Sequence, residues 1–397
     1  MPGPLSGIKV IDVSAVISGP MCCQILADEG AEVIKVEPRQ IGDLTRIGAF
    51  RVGDVSAMYA SANRGKQSVA LDLSQPAGVE VFKRLVADAD VLVQNFRPGA
   101  VDRMGIGPDA LMALNPKLIY VSISGFGPTG PYRDWRVYDP IIQSVAGLPS
   151  VQVHNEVQLP DLMRALVCDK ATATLAAQAV TAALFARERG QAQGQHLTVP
   201  MLDAALYWSW PDTFMAHSFE GPEVIPGPCV YKIYRLQQTA DGYLVYFTAT
   251  NPEAFGLYRA LGHPEWADDP RFSTPHARQI TENFETLGAM IHEAFLGFGS
   301  DEIMARLKAE QVPSAPVNSL DDVFVDPQVV HNEIVHTWHD PRIGTIRQAK
   351  PPVQWSVTEH EPVWSVDALG ESTEEVLRAH GYDDEALAAL RAGEVIA

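Results

Sequence analysis

One carboxylate stands out for its chemistry. Asp169 lies where the strand-like Leu166-Val167-Cys168 meets an Ala-rich helical pattern that begins at Ala171. Two readings share that position. As an N-cap, Asp169 accepts hydrogen bonds from the first unpaired helix amides and contributes about 1 kcal/mol. As a nucleophile it uses the same geometry, because a carboxylate near a helix N-terminus is held ionised, the attacking form in covalent carboxylate catalysis. More familiar chemistries lack their signatures: no GxSxG elbow, HExxH pair or phosphate-loop lysine motif occurs. A dinucleotide site is poorly served too. Glu37 ends the second strand-like run, where ribose-binding acids sit, but the first loop, Ser14 to Pro20, offers one Gly and a Pro where GxGxxG is required. Glu37 therefore reads as a solvated strand-end carboxylate.

The whole chain constrains what can bind. With 397 residues, 30 Lys+Arg against 49 Asp+Glu and a net charge of −19, the surface repels nucleic acid and anionic lipid, so a phosphate ligand needs basic side chains gathered locally. The 46% hydrophobic and 20% charged fractions describe a folded chain with a large core and exclude disorder or coiled coil. Cys22, Cys23, Cys168 and Cys229 show no metal-binding spacing and read as reduced and mostly buried. The opening residues lack a basic region followed by an unbroken apolar run, and no apolar stretch reaches the ~20 residues of a membrane span. A cytoplasmic protein with no metal is expected.

The elements that must position Asp169 are legible as alternating runs. Strands are predicted over 7–13, 31–37, 68–73, 91–96, 117–125 and 196–199, and helices over 21–30, 77–90 and 108–114, with a long one from Asp169 to Glu188. Nearly continuous Val/Ile/Leu strands between helices indicate an α/β fold, a Rossmann-like parallel sheet covered on both faces. Residues 126–148 read as turn-rich. A helix is expected from Leu202 to Phe219, then a breaker cluster from Gly221 to Pro228. The texture then changes to a smaller α+β domain, with a hairpin strand at 241–249 and helices near 252–261, 277–298 and 301–311. Ser372 to Glu375 reads as a capping box opening a helix. The expected domains are a large one from 1–220, a small one from 225–325 and a C-terminal segment, 326–397, returning to the large domain.

Several blocks carry a resemblance: Leu5 to Pro20 (LSGIKVIDVSAVISGP), Gly30 to Arg46 (GAEVIKVEPRQIGDLTR), Asn63 to Leu73 (NRGKQSVALDL), Asp90 to Gly105 (DVLVQNFRPGAVDRMG), Gly194 to Ala204 (GQHLTVPMLDA) and Leu369 to Leu377 (LGESTEEVL). Together and in order they make the chain similar, over nearly its whole length, to the family III CoA-transferases, typified by formyl-CoA transferase and carnitine CoA-transferase. The resemblance implies that Asp169 is the nucleophile and that CoA moves from an acyl-CoA to a free carboxylic acid through an aspartyl-CoA thioester. It also implies an interlocked homodimer and no cofactor beyond CoA itself. Position by position, Ile17 and Ser18 match contacts beside the ligand. Leu71, Asp72, Leu73 and Ser74 match the segment lining the adenosine end, with Ser74 where a relative has Lys. Asn95, Phe96 and Arg97 match a strand-end cleft, and Arg103 matches a bidentate phosphate ligand. Arg39 is offset by one from the basic residue of relatives. Arg136, Val137, Tyr138 and Asp139 match the stretch between the phosphates and the reacting thioester.

Tyr138 separates two reactions on this scaffold. The similar α-methylacyl-CoA racemases place a His there, because moving an α-proton between faces needs two acid/base groups, and tyrosine with an unperturbed pKa near 10 is a poor base. His154 and His196 read as ordinary residues, so transferase is favoured; racemase or a non-catalytic CoA-binding paralogue remain the alternatives. The Gly-rich lid of formyl-CoA transferase is missing from Ile225 to Lys232, so its specificity is not implied. Trp208, Trp210, Tyr231, Tyr234 and Phe247 are candidates for an acyl pocket, but aromatic residues at such spacing read as core.

Overall fold

The computed structural model describes residues 2–152, 160–225 and 227–397, and the chain forms two compact units, Met1–Trp208 with Glu333–Ala397, and Ser209–Asn332. The first unit is built on six parallel strands: β1 (Lys9–Asp12), β2 (Glu32–Glu37), β3 (Gln67–Ala70), β4 (Val91–Gln94), β5 (Ile119–Ser124) and β6 (Gln195–Pro200). Their spatial order is 3-2-1-4-5-6. Chain order reverses between β1 and β4, which pair with Val10 opposite Val91 and Ile11 opposite Leu92. Ligands of such sheets bind outside the carboxyl ends of the strands at that reversal.

Alternation along each strand feeds two cores. Val10, Val33, Val93 and Val121 face one layer with Cys22, Leu26, Ala173, Ala176 and Val180, while Ile11, Val36, Leu92 and Tyr120 face the other with Phe82, Leu85, Val376 and Leu377. The helices are α1 (Ser18–Asp28), α2 (Ala57–Asn63), α3 (Pro76–Val86), α4 (Ala100–Arg103), α5 (Pro108–Leu114), α6 (Asp139–Val145), α7 (Val167–Glu188) and α8 (Met201–Thr213). In α7 the buried Ala173, Ala176, Ala177 and Val180 recur at helical spacing, and their small side chains let α1 pack closely. Asp169, four residues before Ala173, sits at the N-terminal end of that same stripe. Residues 373–379 and 384–392 form two further helices, and Val395 and Ile396 complete the second core; Asp72 N donates to the Val395 carbonyl at 2.8 Å.

Several expectations are corrected. The turn-rich reading of 126–148 missed α6, whose start is marked by Asp139-Pro140, a proline in the first turn. The long helix begins at Val167, ahead of Ala171. The chain between β2 and β3, for which no element is expected, holds a short hairpin (Arg51–Val52 with Val55–Ser56) and α2. Ser372 precedes its helix without capping it, because its hydroxyl donates to Asp367; the capping box occurs instead at Thr250 and Glu253. In Ser209–Asn332, three helices (Asn251–Ala260, Thr281–Leu296 and Ser300–Ala309) pack with a three-stranded antiparallel sheet around Leu244, Leu257, Phe272, Ile291 and Phe295. Trp208, Trp210, Tyr234 and Phe247 are exposed rather than core, and Tyr231 is half-buried.

Candidate active site

Nearly all the predicted site residues follow the carboxyl end of a strand in the first unit. Ile17 and Ser18 come after β1, Arg39 after β2, Leu71 to Ser74 after β3, Asn95 to Arg97 after β4, and Arg136 to Asp139 and Asp169 after β5; Arg103 closes α4, just beyond β4. The loops after β1 and β4 flank the reversal and are tied together. Asn95 Nδ2 donates to the Ala15 carbonyl at 2.7 Å, and Ala15 N donates back to Asn95 Oδ1 at 2.8 Å. That side chain is thereby committed to the loop rather than free for a ligand.

Asp169 is the third residue of α7 and only 7% exposed. It is not the N-cap; that position is Leu166, which makes no capping bond. The amide of Asp169 is itself capped from elsewhere, donating to Asp139 Oδ2 at 2.9 Å. Asp139 is buried rather than open to ligand, and Gln143, one turn later in α6, donates to its other oxygen at 2.5 Å. Gln143 also donates to the carbonyls of Met163 (3.1 Å) and Ala165 (3.2 Å), holding the approach to α7. Gln143 escaped the sequence reading; its spacing of four from Asp139 was the available signal.

The carboxylate of Asp169 meets the start of α1. The hydroxyl and amide of Ser18, the first residue of α1, face it and favour its charged form. Burial and the neighbouring Asp139 charge outweigh them and push the carboxyl up to about 6. The helix N-terminus therefore does not keep Asp169 ionised at every pH; it limits the rise. At neutral pH the group is still largely ionised, desolvated and aimed by two helix N-termini, as a nucleophile requires. Cys168 beside it is no rival, since burial pushes its thiol up to about 12.

Two cations lie close together at the turn before α4. A Cβ added to Gly99, which has φ of +78°, would lie 3.3 Å from Arg103 Nη1 and 3.7 Å from Arg133 Nη2, so the two guanidiniums converge on this turn. Arg133 was missed. Among the described residues no carboxylate pairs with Arg97, Arg103 or Arg136, which is notable in a chain with 49 acids. Arg39 differs, because it pairs with Glu394 at 3.4 Å. Leu71 is a core side chain whose backbone bridges Ile396. Asp72 is half-buried, with its oxygens occupied by Ser74 and Gln75, and Ser74 is exposed. Leu73 and Phe96 pack at the margin of that core, and Val137 packs against Gly125.

One alternative loses its residue, and the other gains none among the described residues. Glu37 is buried, not solvated: Arg46 grips both oxygens at 2.7 and 2.8 Å, and Tyr59 and Ser68 donate to it as well, leaving nothing for a ribose. Tyr138 is 61% exposed, and His196 lies on β6 against Ser122 and Tyr120; His154 lies outside the described residues. All four cysteines are buried and unbonded. Among the described residues no group of His, Cys, Asp and Glu is arranged to hold a metal ion, and no helix is long and apolar enough to cross a membrane.

A doubly wound sheet with a buried carboxylate near its switch point, and arginines that no described carboxylate pairs after β4 and β5, has the makings of an enzyme with an anionic substrate. The family follows from comparison: the model of CoA-transferase family III matches residues 5–373, and the chain belongs to that family. It is similar to the succinyl-CoA–D-citramalate CoA-transferase of Chloroflexus aurantiacus, at 33% identity over all of this chain and 98% of that one. It is also similar to the formyl-CoA:oxalate CoA-transferase of Escherichia coli, at 31% identity over the full length of both. Among solved structures, a CaiB/BaiF family protein from Brucella suis superposes with a TM-score of 0.79 and 30% identity, over 96% of this chain and 100% of that one. A hypothetical protein from Mycobacterium tuberculosis gives 0.81 and 28%, over 94% and 99%.

Proposed function

We propose that this CoA-transferase moves CoA from an acyl-CoA donor to a free carboxylic acid through a thioester on Asp169. The observation that carries the reading is a desolvated carboxylate, raised to about 6, facing the first residue of α1 at the sheet's switch point. Asp169 attacks the thioester carbonyl, the C–S bond breaks and CoA leaves as thiolate, giving a mixed anhydride. The thiolate attacks the aspartyl carbonyl and expels the donor as its free carboxylate. The acceptor carboxylate then attacks the aspartyl thioester, and the CoA thiolate released reopens the second anhydride at the acceptor carbonyl, restoring Asp169. Each step conserves acyl activation, so neither ATP nor a cofactor beyond CoA enters the balance. Burial of Asp169 keeps water from the anhydrides.

The names of the two relatives describe exchange of CoA between carboxylic acids, which supports an acid as acceptor here. Arg97, Arg103, Arg133 and Arg136 supply the cations for CoA phosphates. We also propose a homodimer, because each unit by itself exposes large apolar side chains, Tyr207 and Trp208 in the first and Trp210, Phe219 and Ile225 in the second. Four buried free thiols fit a reducing, cytoplasmic compartment.

The test is incubation with a panel of acyl-CoAs, trapping with hydroxylamine and peptide mapping by mass spectrometry. Modification at Asp169, absent in folded Asp169→Ala, is the expected result; transfer by that variant overturns the mechanism. Deuterium entering the α-position without any acceptor would favour a racemase instead, and binding of CoA with no adduct a non-catalytic relative.

A further inference from the structure

Beneath the loop that presents Ser18 lie four charges with almost no contact with water: Asp12 and Lys35 are 0% exposed, Asp43 2% and Lys66 3%. They come from the end of β1, from β2, from the segment after β2 and from the approach to β3. Lys35 Nζ stands 3.1 Å from Asp43 and 3.6 Å from Asp12, and Lys66 Nζ stands 2.8 Å from Asp12. Two acids and two bases thus neutralise one another.

Buried ion pairs are a weak source of stability, since desolvation consumes most of their attraction and apolar replacements are often no worse. What these four do distinctively is hold peptide groups. Ser14 N donates to Asp12 Oδ1 at 3.0 Å, and Lys35 Nζ donates to the Ser14 carbonyl at 2.6 Å. Val16 N donates to both oxygens of Asp43 at 3.2 Å each, and Lys66 Nζ donates to the Pro20 carbonyl at 2.8 Å. Between those grips Val16 adopts φ of +71°, a region that a β-branched residue enters only when its surroundings force it. Ser18 follows two residues later and faces Asp169, whose charged form its amide and hydroxyl favour. Gly19 completes the fit, because a Cβ there would lie 2.1 Å from the Ser14 hydroxyl oxygen.

We infer that Asp12, Lys35, Asp43 and Lys66 form a charge-neutral clamp of positioning residues that forces Val16 into its left-handed conformation and thereby aims Ser18 at Asp169. The inference rests on the proposed role of Asp169, and its test separates the two.

Lys35→Met with Asp43→Asn removes one charge of each sign and leaves the Asp12–Lys66 pair intact. The rate of aspartyl adduct formation at saturating acyl-CoA should fall roughly 10–100-fold, while the half-saturating concentration stays within about threefold, as expected when orientation and not binding is lost. Adding Val16→Gly, which adopts positive φ freely, should recover about tenfold of that rate. Hydrogen exchange of the peptide spanning residues 13–20 should accelerate in the double variant, a readout that needs no substrate. A folded double variant with the wild-type rate and exchange, or a loss that Val16→Gly does not relieve, overturns the clamp. Should the double variant not fold, Asp43→Asn alone is put through the same comparisons and judged by the same outcomes. Failure of the wild-type protein to form any adduct would overturn the role of Asp169 instead, leaving the exchange result to judge the clamp.

Discussion

Replacing the proposed nucleophile should make the protein more stable. Asp169 is held at about 6 against an ordinary 3.8 by burial first and by Asp139 second. An acid whose carboxyl is raised in the folded state opposes folding wherever the unfolded chain would ionise it. The sign is therefore destabilising above pH 6, and the effect fades as pH falls from 6 towards 4, where both states are protonated. The gap corresponds to about 3 kcal/mol at pH 8 and roughly half of that at pH 5. Asp169→Asn keeps the shape and an acceptor for Ser18 but carries no charge. Its denaturant midpoint should exceed that of the wild type at pH 8, with the advantage about halved at pH 5, while adduct formation is lost. Equal or lower stability at pH 8, or an advantage independent of pH, would refute the electrostatic account of this site.

Other consequences are open to direct measurement. Asp139→Asn removes the like charge while burial remains, so the acid limb of the adduct-forming rate should move from about 6 to lower pH without reaching 3.8; a pH profile of single-turnover rates checks this. Arg103→Gln and Arg133→Gln should each raise the KM for acyl-CoA about tenfold, the scale of one charge-assisted hydrogen bond, with little change in kcat. Steady-state kinetics with an acyl-CoA donor decides it, and unaltered KM values would remove the Gly99 turn from the phosphate site. Gly19→Ala drives a methyl into Ser14 and should cost about 1–3 kcal/mol by overpacking, read as a lower melting temperature.

How much was readable in the sequence follows from the range of the interactions involved. The parallel sheet was legible because its central strands are buried on both faces and spell themselves as runs of Val, Ile and Leu, as in Val91-Leu92-Val93 of β4. The stripe of α7 was legible because Ala173, Ala176 and Val180 repeat locally, which also brought Asp169 to attention. The α6 helix was hidden by the glycines and prolines before it, although Asp139-Pro140 marks its first turn. Charges were misread most. Glu37 looks solvated until Arg46 folds over it, and Lys35 and Lys66 resemble any surface lysine, since their partners Asp12 and Asp43 are set by tertiary structure. Asn95 and Asp139 were singled out as ligand contacts, yet one holds a loop and the other caps an amide. Arg133 became visible only when Gly99 turned the chain towards it.

The last strand to be covered carries a cost during synthesis. The edge of β3 is covered by residues from much later in the chain: Ala70 N donates to Thr373 Oγ1 across 303 positions, and Gln75 reaches the Glu394 carbonyl across 319. At about 5–20 residues per second a ribosome needs roughly 15–60 s to deliver those partners. Meanwhile the contiguous stretch Ser209–Asn332 has already emerged whole and is able to fold, whereas the nascent sheet still presents an uncovered edge of the kind that invites mispairing. Chaperone demand in expression should therefore track the delivery of the final segment, and truncations before Thr373 should aggregate even though they retain every residue assigned to the chemistry.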